Sequence, residues 1–365
     1  MKELIDQIRS NIHNEYNSIP IGLPRFEKWY PGIMRGIHTA IVGVGSVGKT
    51  KLLTHLFIIN VLDEVKKVND PSKLDVKIFL YLLKTSKKVF RAKIISAFLK
   101  RDHDIDMDYL ELMSIRSKSK RTMTEELLDN KVAAYNEWFE YFDTKVVVYD
   151  TKKKPSEIFE TTKKWLNENA GRTGNDLQGD KVFEYDNPNL FVVSMVDTVN
   201  SLQGEVDKLS GMAMDIKKCI EKHVITNMTE LKTVYNCSIV DLHDLSLDAD
   251  RVKSNFGNID TAAKLEPSMD GLGESKIVSR NYDVILGIHD PARYEETAHQ
   301  KYNVAILGKN YRSLKLVRNE LGRNNVYLGM WFDGGAGTYE ELPKSAFLSN
   351  PLNMERYLKS KGRDK

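Results

Sequence analysis

An α/β fold, with a mainly parallel sheet and helices on both faces, is what this sequence predicts, and three observations carry the prediction. The first is a short apolar strand, residues 40–42, that runs into Gly43-Val-Gly45-Ser46-Val47-Gly48-Lys49-Thr50. Leu52, Leu53, Leu56 and Ile59 then follow at helical spacing, so strand, glycine loop and helix come in the order of a P-loop. The second is an alternation along the chain of β-rich apolar runs with amphipathic stretches, the pattern of repeated strand–helix–strand units. The third is Leu190-Phe-Val-Val-Ser-Met-Val-Asp197, apolar at successive positions as a strand covered on both faces must be, and closed by an acid.

Taken in order, residues 1–17 predict a helix with Leu4, Ile5, Ile8 and Ile12 on one stripe. Residues 18–24, Ser-Ile-Pro-Ile-Gly-Leu-Pro, break it, so the helix stands apart from the core and either packs back on its own domain or docks on a neighbouring subunit. Residues 26–37 lead into the P-loop strand, whose helix runs on to Val68. Val76–Leu83 is a strand expected beside the P-loop strand, and Ser86–Lys100 is an amphipathic helix. Residues 102–145 read as helical and polar and include the basic run 116–121. Lys145–Tyr149 is a strand, Pro155–Asn169 a helix, and Gly171–Asn189, rich in Gly, Asp and Asn, a surface loop. Residues 212–234 predict a helix and Cys237–Leu242 a strand. Residues 248–273 form a long turn-rich stretch, and further strands are expected at 282–288, 302–306, 314–317 and 326–332. The body of the domain is thus 18–345, followed by a basic tail at 346–365 for which no order is expected.

The P-loop residues explain themselves chemically. Glycines let backbone N–H groups form a nest around phosphate oxygens, at a helix N-terminus that already favours anions. Gly43, Gly45, Ser46, Val47, Gly48, Lys49, Thr50 and Lys51 are the expected nucleotide contacts. Lys49 reaches the terminal phosphates, and the Thr50 hydroxyl together with Asp197 holds Mg²⁺. ATP and Mg²⁺ are the implied cofactors. A chance glycine turn before a buried helix is the competing reading, and the strand–loop–helix context argues against it.

Composition limits the rest. A content of 41% hydrophobic and 29% charged residues indicates a water-soluble domain with a real core. No apolar run approaches the ~18 residues needed to span a bilayer, so no membrane association is expected. Two cysteines, Cys219 and Cys237, suit a reducing cytoplasm better than a disulfide framework. A net charge of +3 leaves any nucleic-acid contact to local patches.

Four further stretches make the chain resemble the RecA-like motor domain of DnaB-type replicative helicases, in a form similar to those carried by tailed phages. Residues 22–36, from Gly-Leu-Pro-Arg-Phe to Met-Arg-Gly, resemble the family's lead-in to the P-loop. Asp197-Thr-Val-Asn-Ser-Leu resembles its second Walker motif, and Glu266-Pro-Ser-Met-Asp-Gly-Leu-Gly-Glu-Ser-Lys the segment after its DNA-binding loop. Lys315-Leu-Val-Arg-Asn-Glu-Leu-Gly322 sits where the family carries its trans-acting basic residues. The resemblance spans about residues 20–343. It implies an ATP-dependent DNA helicase acting in replication, a homo-oligomer in a hexameric ring, ATP at the subunit interfaces, and single-stranded DNA in the channel. Lys49 and Asp197 are then catalytic residues, and Arg318 acts across the interface. The family's separate N-terminal domain has no counterpart ahead of the motor, and the 1–17 helix matches the linker that docks on the next subunit. Residues 203–211 and 248–273 correspond to the DNA loops, with Lys208, Arg251, Lys253 and Lys264 as their basic contacts.

Three positions depart from the family pattern. Lys84 stands where the family has the glutamate that polarises water, and a charged lysine has no acceptor with which to do so. Asp244 stands at the sensor glutamine and Glu320 at the arginine finger. These residues imply slow hydrolysis, or a helicase-like protein that binds nucleotide, with or without DNA, and lacks efficient turnover.

Overall fold

The computed structural model describes residues 2–115, 123–176, 179–207, 210–245, 266–272 and 276–362. Among these residues the centre is one nine-stranded sheet. The strands in chain order are β1 (His38–Gly43), β2 (Asp75–Leu82), β3 (Val146–Tyr149), β4 (Leu190–Asp197), β5 (Ser238–Asp244), β6 (Val284–His289), β7 (Tyr311–Asn319), β8 (Val326–Asp333) and β9 (Thr338–Glu341). Across the sheet they run β9-β8-β7-β6-β1-β5-β4-β2-β3. From β6 through β3 every neighbour is parallel, and β7, β8 and β9 extend the sheet antiparallel. Every residue of β1, β4 and β6 is buried, so both faces of the sheet centre are covered by other elements.

Local chemistry sets the helices. Helix α1 spans Lys2–His13. The P-loop opens α2 (Lys49–Leu52), which continues through a π-helical stretch, Leu53–Ile59, into α3 (Asn60–Val68), ended by Asn69 in the left-handed region. Ser86 caps α4 (Lys87–His103) by accepting the Val89 N–H, and Asp104 closes it at φ 53°. Pro155 opens α5 (Pro155–Asn169), with the Glu157 carboxylate accepting the Lys154 N–H at 2.9 Å.

Several sequence expectations are corrected here. Strand β2 does not lie beside β1; β5 and β4 stand between them. Parallel neighbours need crossover connections, so consecutive strands are free to land apart in the sheet. Gly171–Asn175 and Lys181–Tyr185 form an antiparallel hairpin rather than a loop. Its polar composition hides the inward Phe183, which packs on Tyr235 with ring centroids 5.3 Å apart. The strand expected at 302–306 is only Tyr302–Asn303, because the Asn303 side chain caps a helical turn, Val304–Leu307, by accepting the Ile306 N–H. Order also extends beyond residue 345: α6 (Pro351–Ser360) buries Met354 and Leu358 in a second apolar cluster with Leu307, Tyr311, Trp331 and Leu342. Two apolar residues four apart in a basic segment were enough to fix it. Within 102–145 the described residues are helical at Tyr109–Leu112 and without a break from Glu125 to Lys145, and the basic run 116–121 lies outside the described residues.

Helix α1 leaves its stripe uncovered, with Ile5, Ile8 and Ile12 all exposed. Among the described residues no helix is long and apolar enough to cross a membrane.

Candidate nucleotide site

Three strand ends converge on the P-loop: β1 ends at Gly43, β5 at Asp244 beside it, and β4 at Asp197 one strand further on. Parallel strands end together, so the topology by itself gathers two carboxylates and the glycine loop at one edge. The loop needs its glycines at specific points. Gly48 sits at φ 113°, and a Cβ there would meet the Tyr339 hydroxyl at 2.1 Å; that hydroxyl donates to the Gly48 carbonyl at 3.1 Å. A Cβ on Gly43 would meet Ile288 and Val47 at 2.8 Å, whereas one on Gly45 would meet nothing. Ser46 turns through φ 62°, and Val47 is buried under the loop.

Lys49 is buried and folded back, its ammonium donating to the carbonyls of Gly43 at 2.7 Å and Val44 at 2.8 Å. It also pairs with Asp244 at 2.8 Å. Burial lowers its pKa, opposed mainly by Asp244. The Thr50 hydroxyl donates to Asp197 at 3.1 Å, bringing together the two residues expected to hold Mg²⁺. Burial raises the Asp197 pKa, with the Thr50 hydrogen bond and the more distant Lys93, Lys84 and Lys49 only partly opposing it. A buried carboxylate short of positive charge, next to a hydroxyl, is a donor set that suits a hard divalent cation. The site residues therefore fit Mg·ATP, with Lys49 toward phosphate and Thr50 and Asp197 toward the metal.

Lys51 points elsewhere. It donates to the Gly334 carbonyl and lines a cavity of about 380 Å³ with His55, Lys93, Asp108 and residues 334–337, on the flank of the P-loop helix.

Two of the three departures, Lys84 and Asp244, meet beside the P-loop, and Glu320 does not. Asp244 bridges Lys49 and Lys84, the second pair at 3.2 Å, so one carboxylate is shared between two ammonium groups. Burial opposes the Asp244 charge, but the two lysines outweigh it and hold its carboxyl below the usual range. The Asp244 N–H donates to Asn200 Oδ1 at 2.7 Å, which anchors the end of β5 to the turn after Asp197.

Arg318 is not part of this cluster. It lies on β7 opposite Ile285, which pairs with Ala40 near the start of β1, and so belongs to the strand ends away from the P-loop. It pairs with Glu320 at 2.6 Å. Lys208, Arg251, Lys253 and Lys264 lie outside the described residues.

Two arginines that sequence reasoning missed grip the P-loop from behind. Arg293 donates to the Gly45 carbonyl at 2.6 Å, and Arg312 to the Val47 carbonyl at 3.1 Å while pairing with Asp290 at 2.9 Å. Their distance along the chain left no local signal. The same holds for Asp241, buried below the loop between His38 at 2.8 Å and His223 at 3.3 Å.

No protein-family model and no curated protein sequence matches the chain. Solved structures do match its fold. A structure described as a DnaB-like replicative helicase and its interactions with primase aligns with a TM-score of 0.63 at 15% identity, over 93% of this chain and 68% of that one. A second structure, described as an ATPase domain, aligns with a TM-score of 0.63 at 15% identity, over 94% of this chain and 98% of that one. The chain has the RecA-like α/β fold of a DnaB-type helicase ATPase domain.

Proposed function

We propose that this chain is the motor of a DnaB-type, ATP-dependent DNA helicase of DNA replication, working in the cytoplasm as a hexameric ring around single-stranded DNA. The observation that carries the reading is the Thr50–Asp197 contact of 3.1 Å beside the buried Lys49, at the strand ends of this fold. In this reading Lys49 leaves Asp244 for the phosphates, and Thr50 and Asp197 hold Mg²⁺. Arg318, at the opposite end of the sheet, serves a neighbour's nucleotide rather than its own. The exposed face of α1 supports docking on the next subunit, since Ile5, Ile8 and Ile12 stay uncovered on a single chain. DNA contact rests on the sequence stretches 203–211 and 248–273.

A second reading has its own observation. Asp244 pairs with Lys49 at 2.8 Å and Lys84 at 3.2 Å, and a lysine at position 84 would offer no acceptor for an attacking water. This favours a helicase-like protein that binds nucleotide without efficient turnover.

Phosphate release with and without single-stranded DNA, beside Lys49→Ala, separates the two. The motor reading expects DNA-stimulated turnover that Lys49→Ala abolishes. ATP binding with no turnover above that variant would retire the motor and leave a nucleotide-binding scaffold.

A further inference from the structure

Behind the P-loop, the chain between β6 and β7 brings three metal-ligating side chains together. His289 ends β6, Glu296 follows a short turn at Pro291–Tyr294, and His299 sits in the small ladder that pairs Ala298 with Asn303. One ligand atom from each of the three lies within 4.8 Å of the others. His289 Nε2 and Glu296 Oε1 are 3.3 Å apart. Two ligands at about 2.0–2.1 Å from a tetrahedral zinc ion stand about 3.3–3.4 Å from each other, so this edge already has the required length. Both histidines are buried and Glu296 is half-buried, which limits competition from water.

The surroundings also match what a ligating histidine needs. His299 has an oxygen partner at each ring nitrogen: Glu266 at 2.8 Å from Nε2 and the Tyr311 hydroxyl at 3.0 Å from Nδ1. Whichever nitrogen turns to a metal, the other keeps a partner that fixes the ring and its tautomer. Glu266 is itself held by Lys315 at 3.1 Å and Tyr327 at 2.9 Å, so this outer support is rigid. The Tyr294 ring stacks on His289 at 5.6 Å and restrains the second histidine.

We infer that His289, Glu296 and His299 form a binding site for a divalent transition metal of the zinc class, distinct from the Mg²⁺ position at Thr50 and Asp197. Two imidazoles and one carboxylate are borderline ligands that suit zinc, and a hard cation such as Mg²⁺ prefers an oxygen set. Three protein ligands leave a fourth position for water or the Tyr311 hydroxyl. The role that follows is structural. The metal clamps the two ends of the 289–299 strap, and that strap carries Arg293 and Asp290, through which the Gly45 and Val47 carbonyls are held. The P-loop is thereby braced from the side opposite its ligand.

The test uses the full chain without a histidine tag, purified without chelator, loaded with zinc and dialysed. Metal content by plasma mass spectrometry should approach one zinc per chain and resist excess Mg²⁺. Cobalt in its place should give visible d–d bands, and stripping the metal should lower Tm. Glu296→Gln keeps the side-chain shape and should weaken zinc binding by at least about tenfold; His299→Ala should lose both the metal and the cobalt bands. A folded wild-type chain that retains only substoichiometric zinc and gives no cobalt bands would overturn the inference and leave the trio as a hydrogen-bonded cluster. So would zinc retained undiminished by both variants, since the metal would then sit elsewhere. None of these readouts depends on ATP turnover, so the inference stands or falls separately from the motor reading.

Discussion

Asp197 and Asp244 end parallel strands of the same sheet and face the same lysine, yet their charges are handled in opposite ways. Asp197 is buried with the Thr50 hydroxyl as its partner, and its pKa is raised by burial. Asp244 is more exposed, bonded to two ammonium groups, and its pKa is lowered by them despite burial. One carboxylate is short of positive charge and the other already has its cations. Under the proposed function, the difference separates the carboxylate that would take a metal ion from one already held by two lysines of the chain. It also shows why Lys84 and Asp244 should be read as a pair: the Lys84 ammonium reaches the Asp244 carboxylate at 3.2 Å.

The strongest test of this contrast is Asp197→Asn. The amide keeps an acceptor for the Thr50 hydroxyl but removes the charge, so the fold persists while the affinity for Mg²⁺ with nucleotide collapses. Turnover, where measurable, should fall on the order of 10²–10³-fold, the loss seen when one preorganised electrostatic group is removed. Titration of Mg²⁺ against nucleotide binding measures it directly. Unchanged Mg²⁺ dependence would mean that the metal is held elsewhere and that the contrast has no functional content.

A smaller effect sharpens the other half. The double variant Lys84→Glu with Asp244→Gln removes the internal pair and supplies the acceptor that the motor reading needs to polarise water. In that reading turnover should rise by about 10- to 100-fold, below the full value of a general base because Glu320 would still stand in place of an arginine finger. Lys84→Glu alone should do worse than the double variant, since the introduced carboxylate would then face Asp244 as a like charge. Steady-state phosphate release on the three proteins decides this, and a single variant as fast as the double would show that Lys84 and Asp244 act independently.

How much of this was legible in the sequence follows from how far apart the partners lie in the chain. The P-loop is written in consecutive residues, because the glycines, Lys49 and Thr50 act through one turn of backbone, and Asp197 was legible as an acid closing an apolar strand. The Lys84–Asp244 bridge was visible only as two oddities, since a pair separated by this much chain has no local signature; the strand order brings β2, β4 and β5 together. The same reason hid Arg293 and Arg312 under the loop. The order of β2 in the sheet was misread because parallel strands joined by crossovers need not be neighbours, and nothing in the residues of β2 names its partners. Phe183 and the Met354–Leu358 pair were overlooked because one or two inward residues within polar segments fall below any periodic signal. The His289, Glu296 and His299 trio offered a partial one, Glu-x-x-His, but without the fold nothing set His289 against it.

The smallest expected effect is on stability, and it distinguishes the two aspartates by sign. Asp244 has a folded pKa below its unfolded value, so its contribution is present above the ordinary carboxylate pKa of about 3.9 and lost as pH falls through the folded value. Asp197 has a folded pKa above its unfolded value, so the folded state is favoured at low pH and penalised as pH rises from about 3.9 through the folded value. At neutral pH without metal, Asp244→Asn should therefore cost about 1–2 kcal/mol, the scale of hydrogen bonds to charged groups, and Asp197→Asn should be neutral or stabilising. Added Mg²⁺ should raise the stability of the wild type by covering Asp197 and leave Asp197→Asn unmoved, because only a ligand that binds the folded state stabilises it. Thermal unfolding from about pH 2 to pH 7 in both variants, with and without Mg²⁺, covers the window of each carboxylate and measures all four arms. If both substitutions shift stability in the same direction, the two carboxylates are not held in opposite states, since burial and ion pairing would then act on them alike.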